Sequence, residues 1–252
     1  MTHIRVPLPR YWEIDLFRGI AVLMMILFHT VFDISFFSIL PINISSGFWR
    51  YFAILTAFIF IFLVGISLNI SHHRSSPQID GSHYTKYLIR GGKILGLGFA
   101  ITIVTYLVIR EGFIVFGVLH CIGASIILAP FFFGKPRIGL LAAFVVLTGG
   151  ILVTGITGPL WLAWTGIHPA SFYTLDYFPL LPWLGVVLLG LTTGTYLYPK
   201  GIRQLPLPDR PPTSTGPVCW MGRHSLEIYL VHQPLIILVL ALVFPDTIWF
   251  LP

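Results

Sequence analysis

The chain has 252 residues, of which 56% are hydrophobic and only 10% are charged, and its mean hydropathy is +0.88. A soluble domain carries about 25% charged residues because its surface faces water, so this composition excludes a soluble protein. The same hydrophobicity excludes a disordered chain. The net charge of +6 comes without a basic cluster interleaved with aromatic residues, so we expect no nucleic-acid partner. The composition predicts an integral membrane protein whose surroundings are the lipid bilayer.

Seven continuous apolar stretches approach the roughly 20 residues that a membrane-spanning helix needs. They do not alternate between polar and apolar residues, so they predict helices and not the strands of a barrel. We therefore predict an all-α integral membrane protein, a polytopic bundle of about seven transmembrane helices with a cytoplasmic N-terminus. One domain is expected over residues 1–252, since no internal repeat is evident. The predicted spans are residues 14–40, 48–70, 87–109, 114–133, 138–155, 178–197 and 218–244.

The basic residues set the orientation of these spans, because Lys and Arg are retained on the cytoplasmic side. With the N-terminus inside, only Arg50 and Arg110 of the 15 basic residues lie outside. The loops at 71–86 and 198–217 are then cytoplasmic, and the aromatic loop at 156–177 is external. That loop is either an anchor at the membrane interface or a lid over a substrate site. We expect a multi-pass protein of the plasma membrane. The cytoplasmic basic residues are Arg5, Arg10, Arg18, Arg74, Lys86, Arg90, Lys93, Lys135, Arg137, Lys200, Arg203, Arg210 and Arg223.

The first span contains four ionisable residues, and each charge at membrane depth costs about 2.5–3.5 kcal/mol. Asp15, Arg18, His29 and Asp33 fall on one stripe of a helix, since Asp15 and Asp33 are 18 residues apart and Arg18 and His29 are 11 apart. Arg18 either pairs with Asp15 or binds a ligand. His29 lies about 20 Å deep, too far for its short side chain to reach water. We interpret His29 as functional, with Asp33 accepting its imidazole N–H and fixing its tautomer.

Other polar residues of the later spans are expected to face the same interior. His120 lies in the outer half of the fourth span, and Asp176 stands at the external mouth of the sixth. His232 and Gln233 precede Pro234 in the seventh span, where the proline frees a backbone carbonyl.

Two further patterns argue against additional functional sites. Arg223 and Glu227 are one turn apart and are better explained as an ion pair than as a site. No HxxxH or Cys/His spacing joins the membrane histidines, so we expect no metal.

Four sequence blocks resemble the heparan-alpha-glucosaminide N-acetyltransferase catalytic-domain family, in particular its compact prokaryotic members. Arg18 and His29, with ten residues between them, are also similar to a motif of other membrane sugar acyltransferases. His29 stands where the lysosomal members carry Asn, so its role is inferred from this chain's own residues. The blocks are WEIDLFRGIAVLMM at 12–25 with His29 and Asp33 after it, GVLHCIG at 117–123, DYFPLLPWLG at 176–185, and GRHS at 222–225 with the segment up to Pro234.

The resemblance implies that an acetyl group moves from cytosolic acetyl-CoA to a carbohydrate or glycolipid acceptor beyond the membrane, through an amine or a hydroxyl. His29 is the expected base or acetylated nucleophile, with Asp33 and His120 as further catalytic candidates. Asp176 and His232 are expected to bind the acceptor. A second copy of the chain stays open as a partner. The cationic residues expected to bind the CoA phosphates are Arg18, Arg90, Lys93 and Arg223.

Two alternatives belong to other functional classes. A scaffold or assembly subunit would not need a stripe of ionisable residues on its first helix. A proton-coupled small-molecule transporter also uses buried His and Asp residues. Such transporters typically contain repeated halves around broken helices, and the sequence lacks such a repeat. The acyltransferase is therefore the favoured interpretation.

Overall fold

The computed structural model describes residues 10–74 and 82–248. Within these ranges the chain is helical, without a named β-strand, which confirms the predicted all-α membrane fold. Arg5 and the central part of the predicted cytoplasmic loop, residues 75–81, lie outside the described residues. The helices are α1 Trp12–Phe36, α2 Gly47–Arg74, α3 Ser82–Val108, α4 Val118–Leu128, α5 Pro136–Val153, α6 Leu180–Leu197, α7 Gly216–Arg223, α8 Ser225–Val243 and α9 Pro245–Ile248.

Six of the described helices are long and apolar enough to cross a membrane: α1, α2, α3, α5, α6 and α8. The predicted fourth span is shorter than expected, because α4 has 11 residues and continues only through a 3-10 turn at Ala129–Phe132. The first residues of the predicted span instead belong to a loop. In this loop Gly112 has a positive φ of 81° and Phe116 forms an isolated bridge with Tyr177. The predicted spans therefore all have a helical counterpart, but the fourth is not a full-length helix.

The predicted seventh span, 218–244, is wrong as a single helix. It is divided at His224, which has non-helical backbone angles (φ −104°, ψ 25°), into the eight-residue α7 and the 19-residue α8. The segment around the break, GRHSLE at 222–227, is polar but contains no proline, so the sequence suggested a single continuous helix.

The described chain forms two compact units, and the expectation of one domain stays a prediction. The first unit comprises Met1–Phe60 and Pro206–Pro252. In it, Gly19 of α1 faces Val218 and Asp15 faces Gly222, so α7 runs antiparallel to α1. Farther along α1, His29 contacts His232 and Phe37 packs with Leu240, so α8 runs parallel to α1. The Trp12 indole also donates a 2.8 Å hydrogen bond to the Pro208 carbonyl, which ties the proline-rich segment to the start of α1.

The second unit comprises Ile61–Leu205 and contains the larger apolar core, built around fully buried residues such as Ile61, Tyr87 and Leu188. Glycines permit close packing of α3 against α4, where Gly91 faces Gly123, and of α5 against α6, where Gly150 faces Pro182. In each pair the two helices run antiparallel. These directions agree with the predicted alternation of spans across the membrane.

Candidate functional site

One face of α1 is buried along its whole length. Asp15, Val22, Met25 and Asp33 are at most 6% exposed, whereas Leu27 on another face is 50% exposed. Arg18 and His29 are half-buried on the same stripe. The predicted stripe is therefore the face that α1 turns toward the interior of its unit, and its polar groups occur in two places.

The first place is the contact between α1 and α7. A Cβ atom at Gly222 would collide with the backbone carbonyl of Asp15, and one at Gly19 would collide with the carbonyl of Val218. The two backbones therefore approach more closely than any other residue at these positions would allow. This close contact brings the residues beside the glycines, Arg18 and Arg223, to the same junction.

Charges of both signs meet at this junction. Arg18 Nη1 lies 3.4 Å from Asp15 Oδ1, so the two side chains form an ion pair. Arg10 and Arg223 also lie close enough to act electrostatically on the Asp15 carboxyl, as does Glu13. Three guanidinium groups against two carboxyl groups give the junction a net positive charge. Arg10 is the residue that sequence reasoning missed here, because it was counted only toward topology.

The predicted ion pair between Arg223 and Glu227 is not formed within the described part of the chain. Both side chains are exposed. Arg223 is the last residue of α7, whereas Glu227 belongs to α8, and the break at His224 separates them. The one-turn spacing that suggested the pair applies only to a continuous helix.

The second place is His29, whose ring nitrogens have different environments. Its Nδ1 lies 2.9 Å from the Met25 carbonyl oxygen, one turn earlier in α1. A carbonyl can only accept a hydrogen bond, so in neutral His29 the proton is on Nδ1 and the lone pair is on Nε2. The Nε2 atom is thus the nitrogen that can take up a proton.

His232 of α8 packs edge-on against His29, with ring centroids 4.7 Å apart. Its Nδ1 lies 2.6 Å from the Tyr229 carbonyl oxygen, so the same argument places its lone pair on Nε2. His232 is only 6% exposed, and its Nε2 is buried without a hydrogen-bond partner in the part of the chain that the structure describes. The structure thus places two imidazoles in contact, each of which has a proton-accepting Nε2 in its neutral form.

The predicted hydrogen bond from His29 to Asp33 is replaced by another contact. Nε2 of Gln233 donates to Asp33 Oδ1 at 2.7 Å and to Oδ2 at 2.9 Å. The tautomer of His29 is fixed by the Met25 carbonyl instead. One turn of a helix brings two residues to the same side, but it does not direct their side chains toward each other, and Asp33 turns to α8. Gln233 is a site residue that was not predicted, since only its position near the membrane centre was noted.

His120 lies in the second unit, is 1% exposed, and uses both of its ring nitrogens. The backbone N–H of Gly117 donates to Nδ1 at 3.2 Å, which places the proton on Nε2, 3.3 Å from the Thr102 hydroxyl. This arrangement caps the N-terminus of α4 and holds α4 to α3. His120 has no lone pair left for a substrate, so the geometry favours a structural role over the predicted catalytic one.

Asp176, the predicted acceptor-binding residue, lies at the other side of the same helix terminus. Its Oδ2 accepts a 3.0 Å hydrogen bond from the Val118 backbone N–H. Loss of water around the carboxyl raises the pKa of Asp176 to about 6. The hydrogen bond from Val118 makes this side chain the acidic group at the α4 N-terminus, where the helix dipole favours negative charge.

Arg90 and Lys93, the two remaining predicted CoA-binding residues, are exposed on α3 in the second unit. They are one turn apart and so lie on one side of the helix. Among the described residues no group of three or more His, Cys, Asp or Glu side chains is arranged to hold a metal ion.

Comparison with known protein families gives one match. The sequence profile of the family described as "Heparan-alpha-glucosaminide N-acetyltransferase, catalytic" matches residues 10–234, which is most of the chain. No curated protein and no solved structure is significantly similar to the chain. The matched region begins just before α1 and ends at Pro234, so it includes the whole stripe and the His232–Gln233 turn.

Proposed function

Because the chain belongs to the heparan-alpha-glucosaminide N-acetyltransferase catalytic family and is thus a multi-pass membrane acetyltransferase, we propose that it transfers an acetyl group from cytosolic acetyl-CoA to a sugar acceptor at the extracytoplasmic side. The observation that carries this proposal is the lone pair of His29 Nε2, held on the interior face of α1. Its contact with a second neutral imidazole supports a site for proton transfer. We place the protein in the plasma membrane.

The donor is expected at the α1–α7 junction. CoA carries phosphate groups, and a guanidinium group binds phosphate through two parallel hydrogen bonds. Arg18 and Arg223 are our proposed phosphate contacts, with Arg10 beside them. The net positive charge of the junction supports this assignment, and so does its position at the end of α1 that the basic residues predict to be cytoplasmic. Arg90 and Lys93 stay candidates for the same role.

The reaction requires one proton transfer that His29 can perform. The lone pair of the acceptor nitrogen or oxygen attacks the thioester carbonyl carbon, the C–S bond breaks, and CoA leaves as a thiolate. His29 Nε2 takes the proton that the nucleophile loses and returns it to the thiolate sulfur. An imidazole that is neutral near pH 7 can act as the base in the first step, and the imidazolium that it becomes is the acid in the second. A route in which Nε2 itself is acetylated uses the same lone pair.

The distance along α1 fits a reaction near the far side of the membrane. His29 is 17 residues from the start of α1 and seven from its end, which correspond to about 26 Å and about 10 Å. The pantetheine arm would have to cross most of the bilayer to bring the thioester to His29, whereas an extracytoplasmic sugar would have a short path.

The decisive experiment uses purified protein reconstituted in liposomes, with labelled acetyl-CoA outside and D-glucosamine or D-glucose inside. Vesicles that trap N-acetylated or O-acetylated sugar support the proposal. Protein-free vesicles and vesicles with His29→Ala protein provide the controls. Specific micromolar binding of acetyl-CoA by calorimetry is expected alongside. Proton-coupled uptake of the sugar without acetylation, and without any response to CoA species, would favour a transporter instead.

A further inference from the structure

Two buried hydrogen-bond acceptors stand side by side on α8 without a donor. They are Nε2 of His232 and Oε1 of Gln233, and neither has a hydrogen-bond partner among the described residues. Each of the two side chains already donates a hydrogen bond. His232 donates through Nδ1 to the Tyr229 carbonyl, and Gln233 donates through Nε2 to Asp33. Buried polar atoms are nearly always hydrogen-bonded in folded proteins, so each such exception needs an explanation.

The orientation of the Gln233 amide follows from its neighbour. A carboxylate only accepts hydrogen bonds, so the NH₂ group of the amide must face Asp33 and the carbonyl must face away. Both oxygens of Asp33 receive that NH₂ group, at 2.7 and 2.9 Å. Asp33 is itself only 2% exposed, so the pair is shielded from competition by water. Asp33 therefore sets the direction in which Gln233 Oε1 points.

The same cluster contains a third acceptor. His29 Nε2 holds its lone pair because Nδ1 bonds to the Met25 carbonyl, and the His29 ring contacts the His232 ring at 4.7 Å between centroids. The three side chains thus offer three acceptors, while their donor nitrogens face the Met25 and Tyr229 carbonyls and Asp33. Such a set cannot satisfy itself, and a ligand group that brings several N–H or O–H donors would complement it.

We infer that Gln233 and His232 bind the N–H or O–H groups of the acceptor substrate that His29 does not deprotonate. Asp33 is then a positioning residue that acts through Gln233, and not through His29. The inference rests on the proposed acetyl transfer. It assigns the matching ligand to one chemical class, polyols and amino sugars with at least two adjacent hydrogen-bond donors.

The test measures acceptor binding and turnover separately, with D-glucosamine as the probe. Gln233→Met keeps the length of the side chain but removes the carbonyl acceptor and the amide donor. We expect it to raise the KM for D-glucosamine about 10-fold, the effect of one hydrogen bond. The kcat and the Kd for acetyl-CoA should change less than about 2-fold. Leu235 lies on the same helix and is 57% exposed. Leu235→Met is therefore the matched control and should leave all three constants unchanged.

A second variant separates positioning from folding. Asp33→Asn keeps the shape of the side chain but lets the Gln233 amide turn over, so it should raise the same KM to a similar extent. The double variant Asp33→Asn/Gln233→Met should have a KM no higher than that of Gln233→Met alone, because both changes remove the same interaction. Additive losses, or an equal loss of acetyl-CoA binding, would indicate a merely structural pair and overturn the inference.

Calorimetric titration of D-glucosamine, without acetyl-CoA, keeps the two proposals distinguishable. Wild-type protein that transfers acetyl groups, with an unchanged KM and Kd for D-glucosamine in Gln233→Met, refutes the inference alone. Wild-type protein that binds the sugar more tightly than Gln233→Met but transfers nothing refutes the proposed function alone. Failure of the folded wild-type protein to bind or acetylate the sugar counts against both.

Discussion

The backbone N–H of Val118 donates a hydrogen bond of 3.0 Å to Oδ2 of Asp176, although 58 positions separate the two residues in the chain. A second bond runs beside it, from the Phe178 N–H to the Phe116 carbonyl at 2.9 Å. The predicted external loop is therefore attached to the first turn of α4, the helix that also carries His120. The attachment depends on a carboxyl group whose pKa is raised to about 6.

The titration of Asp176 predicts a pH dependence of stability. The pKa of its carboxyl is raised from 3.8 to about 6 because the folded protein removes water from it. The folded state then binds the proton more tightly than the unfolded state, so this group's contribution to stability is fully present below about pH 4 and is lost as the pH rises through about 6. Asp176→Asn should remove that component.

Thermal unfolding from pH 4 to 7 measures this pH-dependent contribution of Asp176 to stability. We expect the Tm of wild-type protein relative to Asp176→Asn to fall across this window and to be constant above it. Glu111→Gln, which changes an exposed carboxyl near the same loop, should give a curve parallel to wild type. A flat difference between wild type and Asp176→Asn would contradict the prediction.

Removal of the His29 imidazole should stop catalysis without unfolding the protein. Loss of a positioned general base lowers the rate about 10²–10⁴-fold. We therefore expect His29→Ala to lose acetyl transfer to that extent while its Tm and its Kd for acetyl-CoA stay near the wild-type values. His73→Ala, which changes an exposed histidine at the end of α2, is the control. A folded His29→Ala protein with near-normal turnover would exclude His29 as the base.

Arg18 should discriminate between donors with and without phosphate groups. Arg18→Ala is expected to weaken the binding of acetyl-CoA by about 10-fold or more, since a hydrogen bond to a charged group contributes about 1.5–3 kcal/mol. Binding of S-acetylpantetheine, which has no phosphate, should change little. Arg50→Ala, at the predicted external side, should alter neither. If calorimetry shows equal losses for both ligands together with a lower Tm, Arg18 serves only as the partner of Asp15.

The close contact between α1 and α7 makes Gly222 sensitive to a single methyl group. A Cβ atom there would collide with the Asp15 carbonyl, so Gly222→Ala should cost about 1–3 kcal/mol through overpacking and lower the Tm. Gly92 of α3 is also in a helix, but nothing lies within 4 Å of its Cβ position. Gly92→Ala should therefore leave the Tm unchanged or raise it, because alanine favours helix. Equal effects of the two changes in thermal unfolding would exclude the steric explanation.

The predicted sidedness can be tested on single-cysteine variants of a protein in which Cys121 and Cys219 are replaced. Thr213→Cys, in the proline-rich segment, should resist an impermeant thiol reagent in intact cells, while Thr157→Cys should react. Both positions are exposed in the structure, so access to the reagent depends on the membrane alone. The opposite labelling pattern would place the acetyl-CoA junction on the outside.

The helices could be predicted from the sequence because burial in lipid forces long apolar stretches to satisfy their backbone hydrogen bonds internally. The buried stripe of α1 could be predicted for a similar reason, since polar groups at membrane depth must face protein. The break at His224 could not, because the four-residue spacing of Arg223 and Glu227 is also the spacing of a continuous helix.

Contacts between residues that are far apart in the sequence could not be predicted either. Asp33 and Gln233 are 200 residues apart, and no local spacing connects them, so the nearer His29 was the expected partner of Asp33. His120 was ambiguous for a different reason. A buried histidine can be a base or a cap, and only the position of the Gly117 N–H shows that its Nδ1 lone pair is already used.

The contact of Gly19 and Gly222 has a consequence for the energetics of donor binding. Because the two backbones are locked together, the arginines beside these glycines are brought to one place when the protein folds, before any ligand arrives. The mutual repulsion of these positive charges is then overcome by helix packing, with Asp15 between them, and does not have to be overcome during association. Less of the affinity for an anion is then lost to reorganisation of the junction. We therefore expect Gly19 and Gly222 to affect both the folding stability and the proposed binding of the donor.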